Sequence, residues 1–201
     1  DIEIKESLKT IEDTSQSLSM LANQILDYSK NENKKITINP KSFQLKTELD
    51  KIVKPLHQVA SNNGNTLQIQ SNVETKLPSV YSDATKIQQL FYNLFANANK
   101  FTQDGLINIS IRSTYSINNS IKLEVEVKDN GVGIDEVDLK NIFEEFEQGA
   151  ISENVKNLGV GLGLNLCKEI VELFNGEIEV TSQKNVETIV RFYLMLLIEK
   201  Q

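Results

Sequence analysis

Gln88-Gln89-Leu90-Phe91-Tyr92-Asn93-Leu94-Phe95-Ala96-Asn97-Ala98-Asn99-Lys100-Phe101-Thr102 is the stretch on which the reading of this chain turns. Apolar residues at Ile87, Leu90, Phe91, Leu94, Phe95 and Ala98 recur at helical spacing, which predicts an amphipathic helix with its stripe against a core. Asn93, Asn97 and Lys100 fall at i, i+4 and i+7 and so stack along one side of that helix. An amide oxygen is a hard, neutral ligand suited to Mg2+, and a lysine ammonium is a point charge suited to phosphate. Two carboxamides and an ammonium on one face therefore suggest a site for a metal–polyphosphate. The plain alternative is a set of asparagines that face solvent or cap the helix.

Two glycine clusters lie downstream. Asp129-Asn130-Gly131-Val132-Gly133-Ile134 follows a strand-like run, and Gly159-Val160-Gly161-Leu162-Gly163-Leu164 opens an apolar helix. Together with the asparagine helix and the Phe-rich segment Ile142-Phe143-Glu144-Glu145-Phe146, these motifs resemble the catalytic, ATP-binding domain of sensor histidine kinases. That domain is part of a wider family with gyrase, the heat-shock chaperone ATPases and the mismatch-repair ATPases. The resemblance runs in order from about Asp83 to Phe192; one glycine loop alone would be a weak signal, and four ordered motifs make a strong one.

Bulk properties agree with a globular, non-nucleic-acid protein. The chain has 201 residues, 39% hydrophobic and 24% charged, enough to bury a core. A net charge of −7 without a basic stripe argues against a binder of nucleic-acid backbones. The single cysteine excludes a disulfide framework and fits a reducing, cytoplasmic compartment. No apolar run approaches the ~20 residues of a membrane span, so this segment is expected to make no membrane contact, although a longer parent is free to be membrane-anchored.

Read in order, residues 2–31 lack Gly and Pro and predict one long helix, with Ile4, Ile11, Leu18 and Ile25 spaced by seven. Such a seam needs a partner helix, or else docks on the chain's own globular part. The resemblance extends here, because Leu26-Asp27-Tyr28-Ser29-Lys30 matches the end of the second helix of the kinases' dimerising hairpin. The expected division is therefore 1–33, the second hairpin helix, and 34–201, the ATP-binding domain. The first hairpin helix, which bears the family's phosphoacceptor histidine, is missing from the sequence given; the one histidine, His57, matches no acceptor motif and reads as a structural or surface residue.

Strands are expected at residues 35–39 (broken at Pro40, with Phe43 and Leu45 continuing extended), 66–70, 80–81, 106–114, 121–128, 178–181 and 190–198. Helices are expected over 49–59, from an N-cap at Asp83 to about Thr102, and over 162–174. Helices clustered between runs of largely antiparallel strands predict an α+β two-layer sandwich, a mixed sheet with helices on one face. The resemblance implies the same architecture, with nucleotide held between the helices and a lid at about residues 148–158.

The roles of individual residues follow from the resemblance. Asn97 matches the asparagine that coordinates Mg2+, Asn93 supports metal or phosphate, Lys100 offsets phosphate charge, and Phe101 lines the adenine or ribose edge. Asp129 accepts from the exocyclic amine of adenine, where guanine presents a carbonyl, and so selects ATP over GTP. Gly131 and Gly133 let backbone approach the base, with Ile134 beside them. Thr188 matches the threonine that holds a water beside the aspartate, although the usual glycine-rich run before it is replaced by Lys184-Asn185-Val186. Gly159, Val160, Gly161, Leu162, Gly163 and Leu164 close on the phosphates at a helix N-terminus, and Phe143 and Phe146 anchor the lid base. Val160 replaces a small polar residue, and Met195 stands where proline is common.

Hydrolysing relatives place a glutamate, the general base for water, at the position of Asn93. An amide takes no proton at neutral pH, so the site is expected to hold ATP without hydrolysing it efficiently and to leave the γ-phosphoryl for a histidine. The expected partners are the acceptor-histidine helix of the full-length kinase, a second copy in a homodimer, and the receiver domain of a response regulator. Two other readings stay open: a hydrolysing ATPase of the same superfamily, and a non-catalytic nucleotide-sensing or scaffold module.

Overall fold

The computed structural model describes residues 37–74, 77–116, 118–144 and 163–199, and everything below belongs to the compact unit Ile38–Gln201. The long helix expected over residues 2–31 lies outside the described residues. So do Phe146, the lid at 148–158, and Gly159, Val160, Gly161 and Leu162.

Seven strands form one sheet among the described residues: β1 (Lys41–Phe43), β2 (Thr66–Asn72), β3 (Val80–Ser82), β4 (Leu106–Ser116), β5 (Ser120–Asp129), β6 (Glu177–Gln183) and β7 (Glu187–Ile198). Their order is β1-β3-β7-β5-β4-β2, with β6 also on β7. β7 is long enough to serve two neighbours on one side, pairing β6 through Glu187–Tyr193 and β3 through Leu197 and Ile198. Only the β2–β4 pair is parallel; the others are antiparallel. The helices are α1 (Leu45–Val53), α2 (Leu56–Asn62), α3 (Ala84–Phe101), α4 (Glu136–Leu139) and α5 (Gly163–Leu173).

This is the mixed, mostly antiparallel α+β sandwich that the alternation of strands and helices implies. On β5, Ile121, Leu123, Val125 and Val127 are buried while the residues between them are half-exposed, the period-two signature of a sheet covered on one face. The covering layer is α3 on β5 and α5 on β6 and β7. Ile87, Leu90, Phe91, Leu94 and Phe95 of α3 are each at most 2% exposed, and each such side chain contributes about 1.5–3 kcal/mol by leaving water. Phe91 meets Phe192 of β7 edge-to-face at 5.9 Å and 85°, the arrangement the ring quadrupoles favour.

Two local expectations need correction. Residues 37–39, the described part of the strand expected over 35–39, form no strand; the first described strand follows Pro40, and Leu45 starts a helix instead of prolonging it. Proline has no N–H to give a ladder, whereas Leu45, 1% exposed, sits on the buried stripe of α1 with Leu49 and Ile52. The helix read across 49–59 is two helices, because Pro55 ends the first and supplies the N-cap position of the second, as its ring clash with the preceding turn requires. α4 carries no sequence signal, because its four residues are too few to show a period.

Asp83 caps α3 as expected, accepting from the backbone N–H of Thr85 (3.0 Å) and Lys86 (3.1 Å). The other end of α3 is held by asparagines. Asn65, 5% exposed, donates to Asn99 Oδ1 (2.9 Å) and to the carbonyl of Thr102 (2.9 Å), and accepts from the N–H of Gly105 (3.0 Å). Asn99 in turn donates to the carbonyl of Val59 (3.4 Å). This knot joins α2, the start of β2, the end of α3 and the start of β4. Asn65→Ala should therefore cost about 2–4 kcal/mol in chemical denaturation, since it orphans several buried groups at once, and Asn63→Ala, which loses one part-buried bond, about 1 kcal/mol or less. Equal losses for the two would show that the knot does not fix the helix end.

Candidate functional site

The candidate site is assembled where α3 ends beside the end of β5. Asp129, the last residue of β5, lies on the helix-facing side and is 5% exposed. Its Oδ1 accepts from the N–H of Gly131 (3.0 Å) and from the hydroxyl of Thr102 (3.3 Å), and no ion pair neutralises it among the described residues. Burial raises its pKa above the ordinary 3.8, and the nearby Glu187 carboxylate adds to the rise, against the two hydrogen bonds that lower it. A buried carboxylate left without a cation at a strand end is a departure that structural need alone does not explain.

The first glycine loop wraps this carboxylate. The N–H of Val132 donates to the carbonyl of Phe101 (3.1 Å), and a Cβ added at Gly131 would stand 2.2 Å from that same oxygen, so no side chain fits there. Gly133 has φ +63° and its added Cβ would stand 2.2 Å from the carbonyl oxygen of Gln183; here both conformation and space demand glycine. Beyond it, the N–H of Ile134 donates to Ser182 Oγ (2.9 Å) and the N–H of Asn185 to the carbonyl of Val132 (2.7 Å), which docks the loop on the β6–β7 hairpin. Asn185 itself has φ +60°. An asparagine tolerates the left-handed region, so the turn between β6 and β7 forms without a glycine.

Thr188 is directly opposite Asp129 across the β5–β7 ladder, and Ser182 is opposite Thr188 across β6–β7. The three side chains form a row across neighbouring strands on the helix-facing side. Thr188 Oγ1 lies 3.0 Å from Ser182 Oγ.

On α3, Asn93 is 4% exposed while Asn97, Lys100 and Phe101 are half-buried. Lys100 Nζ stands 4.6 Å from the Phe101 ring centroid, and burial lowers its pKa. α5 packs alongside with matching spacing. Gly163 faces Asn97, whose Nδ2 would be 3.8 Å from an added Cβ, and four residues on, Cys167 bonds the Asn93 side chain. The Cys167 thiol is fully buried, and burial pushes its pKa up to about 12 despite the Asn93 bond, so it packs as a neutral thiol. Leu164 and Ile134 are half-buried. Phe143 is tied to α5 through its carbonyl, which accepts from Asn165 Nδ2 (3.1 Å), and Lys168 Nζ lies 5.9 Å from its ring.

Asp129, Gly131, Gly133, Ile134, Phe101 and Thr188 thus form one group, and Asn93, Asn97, Lys100, Gly163 and Phe143 lie along α3 and α5. Thr102, only five residues after Asn97, touches Asp129 and links the groups. Thr102 and Ser182 are site residues that sequence reasoning missed. Each bonds a partner in another element, and only the strand register reveals Ser182. Met195, where proline is common, uses its N–H to bond the carbonyl of Phe174 (3.0 Å), a bond proline would lack.

The family described as "Histidine kinase-, DNA gyrase B-, and HSP90-like ATPase" matches residues 82–198. Signal transduction histidine-protein kinase BarA of Escherichia coli is 32% identical over 193 residues, covering 96% of this chain and 21% of that protein. Autoinducer 2 sensor kinase/phosphatase LuxQ of Vibrio vulnificus is 32% identical over 204 residues, covering 97% and 23%. The chain therefore spans about a fifth of the length of these relatives. Among solved structures, full-length ShkA in complex with AMPPNP matches at a TM-score of 0.69 and 20% identity, over 98% of this chain and 40% of that one; at that identity the likeness establishes the fold.

The raised pKa of Asp129 has a stability consequence. Its protonated form favours folding fully below the ordinary value of 3.8, and that contribution is lost as pH rises through the raised folded value. Asp129→Asn should therefore be at least as stable as the parent at neutral pH, with the gap narrowing as pH falls through that window. Denaturant melts of both chains across the acid range check this; a variant markedly less stable at neutral pH would contradict it.

Proposed function

The chain belongs to the histidine kinase-, DNA gyrase B- and HSP90-like ATPase family and carries the ATP-binding catalytic domain of sensor histidine kinases; on that premise we propose that it holds Mg-ATP for transfer of the γ-phosphoryl group to a histidine on another helix. The observation that carries this reading is Asp129, a buried carboxylate with no neutralising cation among the described residues, beside a loop whose glycines admit no side chain. A base edge that offers an amine hydrogen suits such an acceptor, and one that offers a carbonyl does not. At the position where adenine carries its amine guanine carries a carbonyl, so a purine seated with that position at Asp129 is adenine.

At the other end of the site, Asn97 offers a neutral, hard oxygen from a half-buried helix face, a donor that fits Mg2+ with phosphate oxygens and water completing its shell. No cluster of three His, Cys, Asp or Glu side chains suited to another metal occurs among the described residues. When bound, the ion offsets the charge of the polyphosphate. Asn93 supports that end from its place against Cys167, Lys100 adds a positive charge close to Phe101, and Gly163 leaves room beside Asn97. Residues 159–164 complete the phosphate side, and Thr188 supports a water beside Asp129.

Asn93 cannot take a proton from water at neutral pH, which disfavours the hydrolysing reading. Transfer then rests on positioning and charge stabilisation. The remaining roles rest on the likeness to the kinases: residues 1–33 as the second helix of a dimerising hairpin, a second copy as partner, a receiver domain as the onward acceptor, and the cytoplasm as the compartment. His57 is exposed on α2 and matches no acceptor motif. No described helix is long and apolar enough to cross a membrane.

Calorimetric titration tests the reading. The chain should bind ATP with Mg2+, Asp129→Asn should abolish measurable binding, and Asn97→Ala should weaken it about tenfold or more in the presence of Mg2+. Hydrolysis by the isolated chain should be slow, while an added helix bearing the acceptor histidine should become phosphorylated. Absence of heat, with no competition by ADP, would favour the scaffold reading. Rapid turnover abolished by Asn93→Ala would favour the ATPase.

A further inference from the structure

Ser182 has a role that its position on β6 does not announce. Its hydroxyl makes three contacts: it accepts from the N–H of Ile134 (2.9 Å), it lies 2.7 Å from the carbonyl of Glu187, and it lies 3.0 Å from Thr188 Oγ1. A hydroxyl has one hydrogen and two lone pairs. The carbonyl of Glu187 can only accept, so the single hydrogen of Ser182 goes there. Ile134 occupies one lone pair, and the other is left for Thr188, whose hydroxyl must therefore donate to Ser182. Every donor and acceptor site of Ser182 is then filled.

This bookkeeping decides what Thr188 can offer on its other side. With its hydrogen committed to Ser182, Thr188 presents only lone pairs, next to Asp129 across the ladder. Asp129 likewise presents acceptor oxygens, already aligned by Gly131 and Thr102. We infer that Ser182 is a specificity-determining residue: by holding the Thr188 hydroxyl as an acceptor, it makes the edge of the base site all-acceptor and so rejects guanine. A base that brings an amine to this edge finds two acceptors. Where adenine brings its amine, guanine in the same orientation brings a carbonyl, which finds no donor there, and an unpaired buried acceptor is costly. Ser182 acts through Thr188 and is a positioning residue, not one that meets the base.

The inference rests on the adenine-site reading above, and the test separates the two. Dissociation constants for ATP and GTP, each with Mg2+ at slightly alkaline pH, are measured on the full chain and on Ser182→Ala, Ser182→Thr, Thr188→Val and the double variant Ser182→Ala with Thr188→Val. In Ser182→Ala the Thr188 hydroxyl is free to turn and donate. The ATP-over-GTP preference should fall about tenfold, mainly through tighter GTP binding. Ser182→Thr, which keeps a hydroxyl, should restore the preference. In the Thr188→Val background, Ser182→Ala should leave the ratio unchanged. Equal loss of both nucleotides in Ser182→Ala, or an unmoved ratio with ATP binding intact, overturns the inference while leaving the adenine site standing. A parent chain that binds neither nucleotide overturns both.

Discussion

A carboxylate kept out of water is the constraint around which this fold is arranged. Asp129 ends β5 under the helix layer, and no cation among the described residues offsets it. Instead the backbone and a hydroxyl are brought to it: the N–H of Gly131 from the loop and the side chain of Thr102 from the end of α3. The loop reaches Asp129 only because Gly131 can press against the carbonyl of Phe101. It leaves again only because Gly133 turns with positive φ against Gln183. The β5–β7 and β6–β7 registers place Thr188 and Ser182 in line with the carboxylate, and the loop docks on that hairpin through Ser182. Desolvation raises the free energy of the charged form, and the hydrogen bonds return only part of it. That imbalance is what a base-binding acceptor requires.

α3 transmits the same constraint along its length. Its start is capped by Asp83, and its end is held by the Asn65–Asn99 knot to the starts of β2 and β4. Asn97 and Thr102 therefore stand on one rigid element, one toward α5 and one against Asp129. α5 matches it residue for residue, with small Gly163 opposite Asn97 and Cys167 opposite Asn93. Gly163 leaves open space beside Asn97, where an added Cβ would meet only the Asn97 amide at 3.8 Å, and fully buried Cys167 fills the space beside Asn93.

Much of this was legible in the chain itself. The helical stripe through Leu90, Phe91, Leu94 and Phe95 and the strict alternation of Ile107, Ile109 and Ile111 and of Leu123, Val125 and Val127 are buried as the periodicity requires. The Asn118-Asn119 turn has positive φ at both residues, as a tight hairpin between twisted strands needs. What was not legible depends on register and on contacts distant in sequence. Thr102 reads as a helix-end threonine until β5 is brought beside it. Ser182 is one polar residue among several in β6 until the ladder aligns it with Thr188 and Asp129. Near Pro40 the alternation read over 35–39 is not carried into a strand at 37–39, and the strand that pairs β3 is Lys41–Phe43, after the proline. Asn185 shows the converse, a non-glycine residue that turns the β6–β7 hairpin with positive φ.

The account stands on where a nucleotide sits, and a crystal structure of the chain with a magnesium–triphosphate analogue of ATP tests that most directly. The account predicts the amine of the base within hydrogen-bond distance of an Asp129 oxygen, the ion on the Asn97 amide oxygen, and Gly163 beside the phosphates. A nucleotide lodged elsewhere, with Asp129 still bonded only to Gly131 and Thr102, would contradict it.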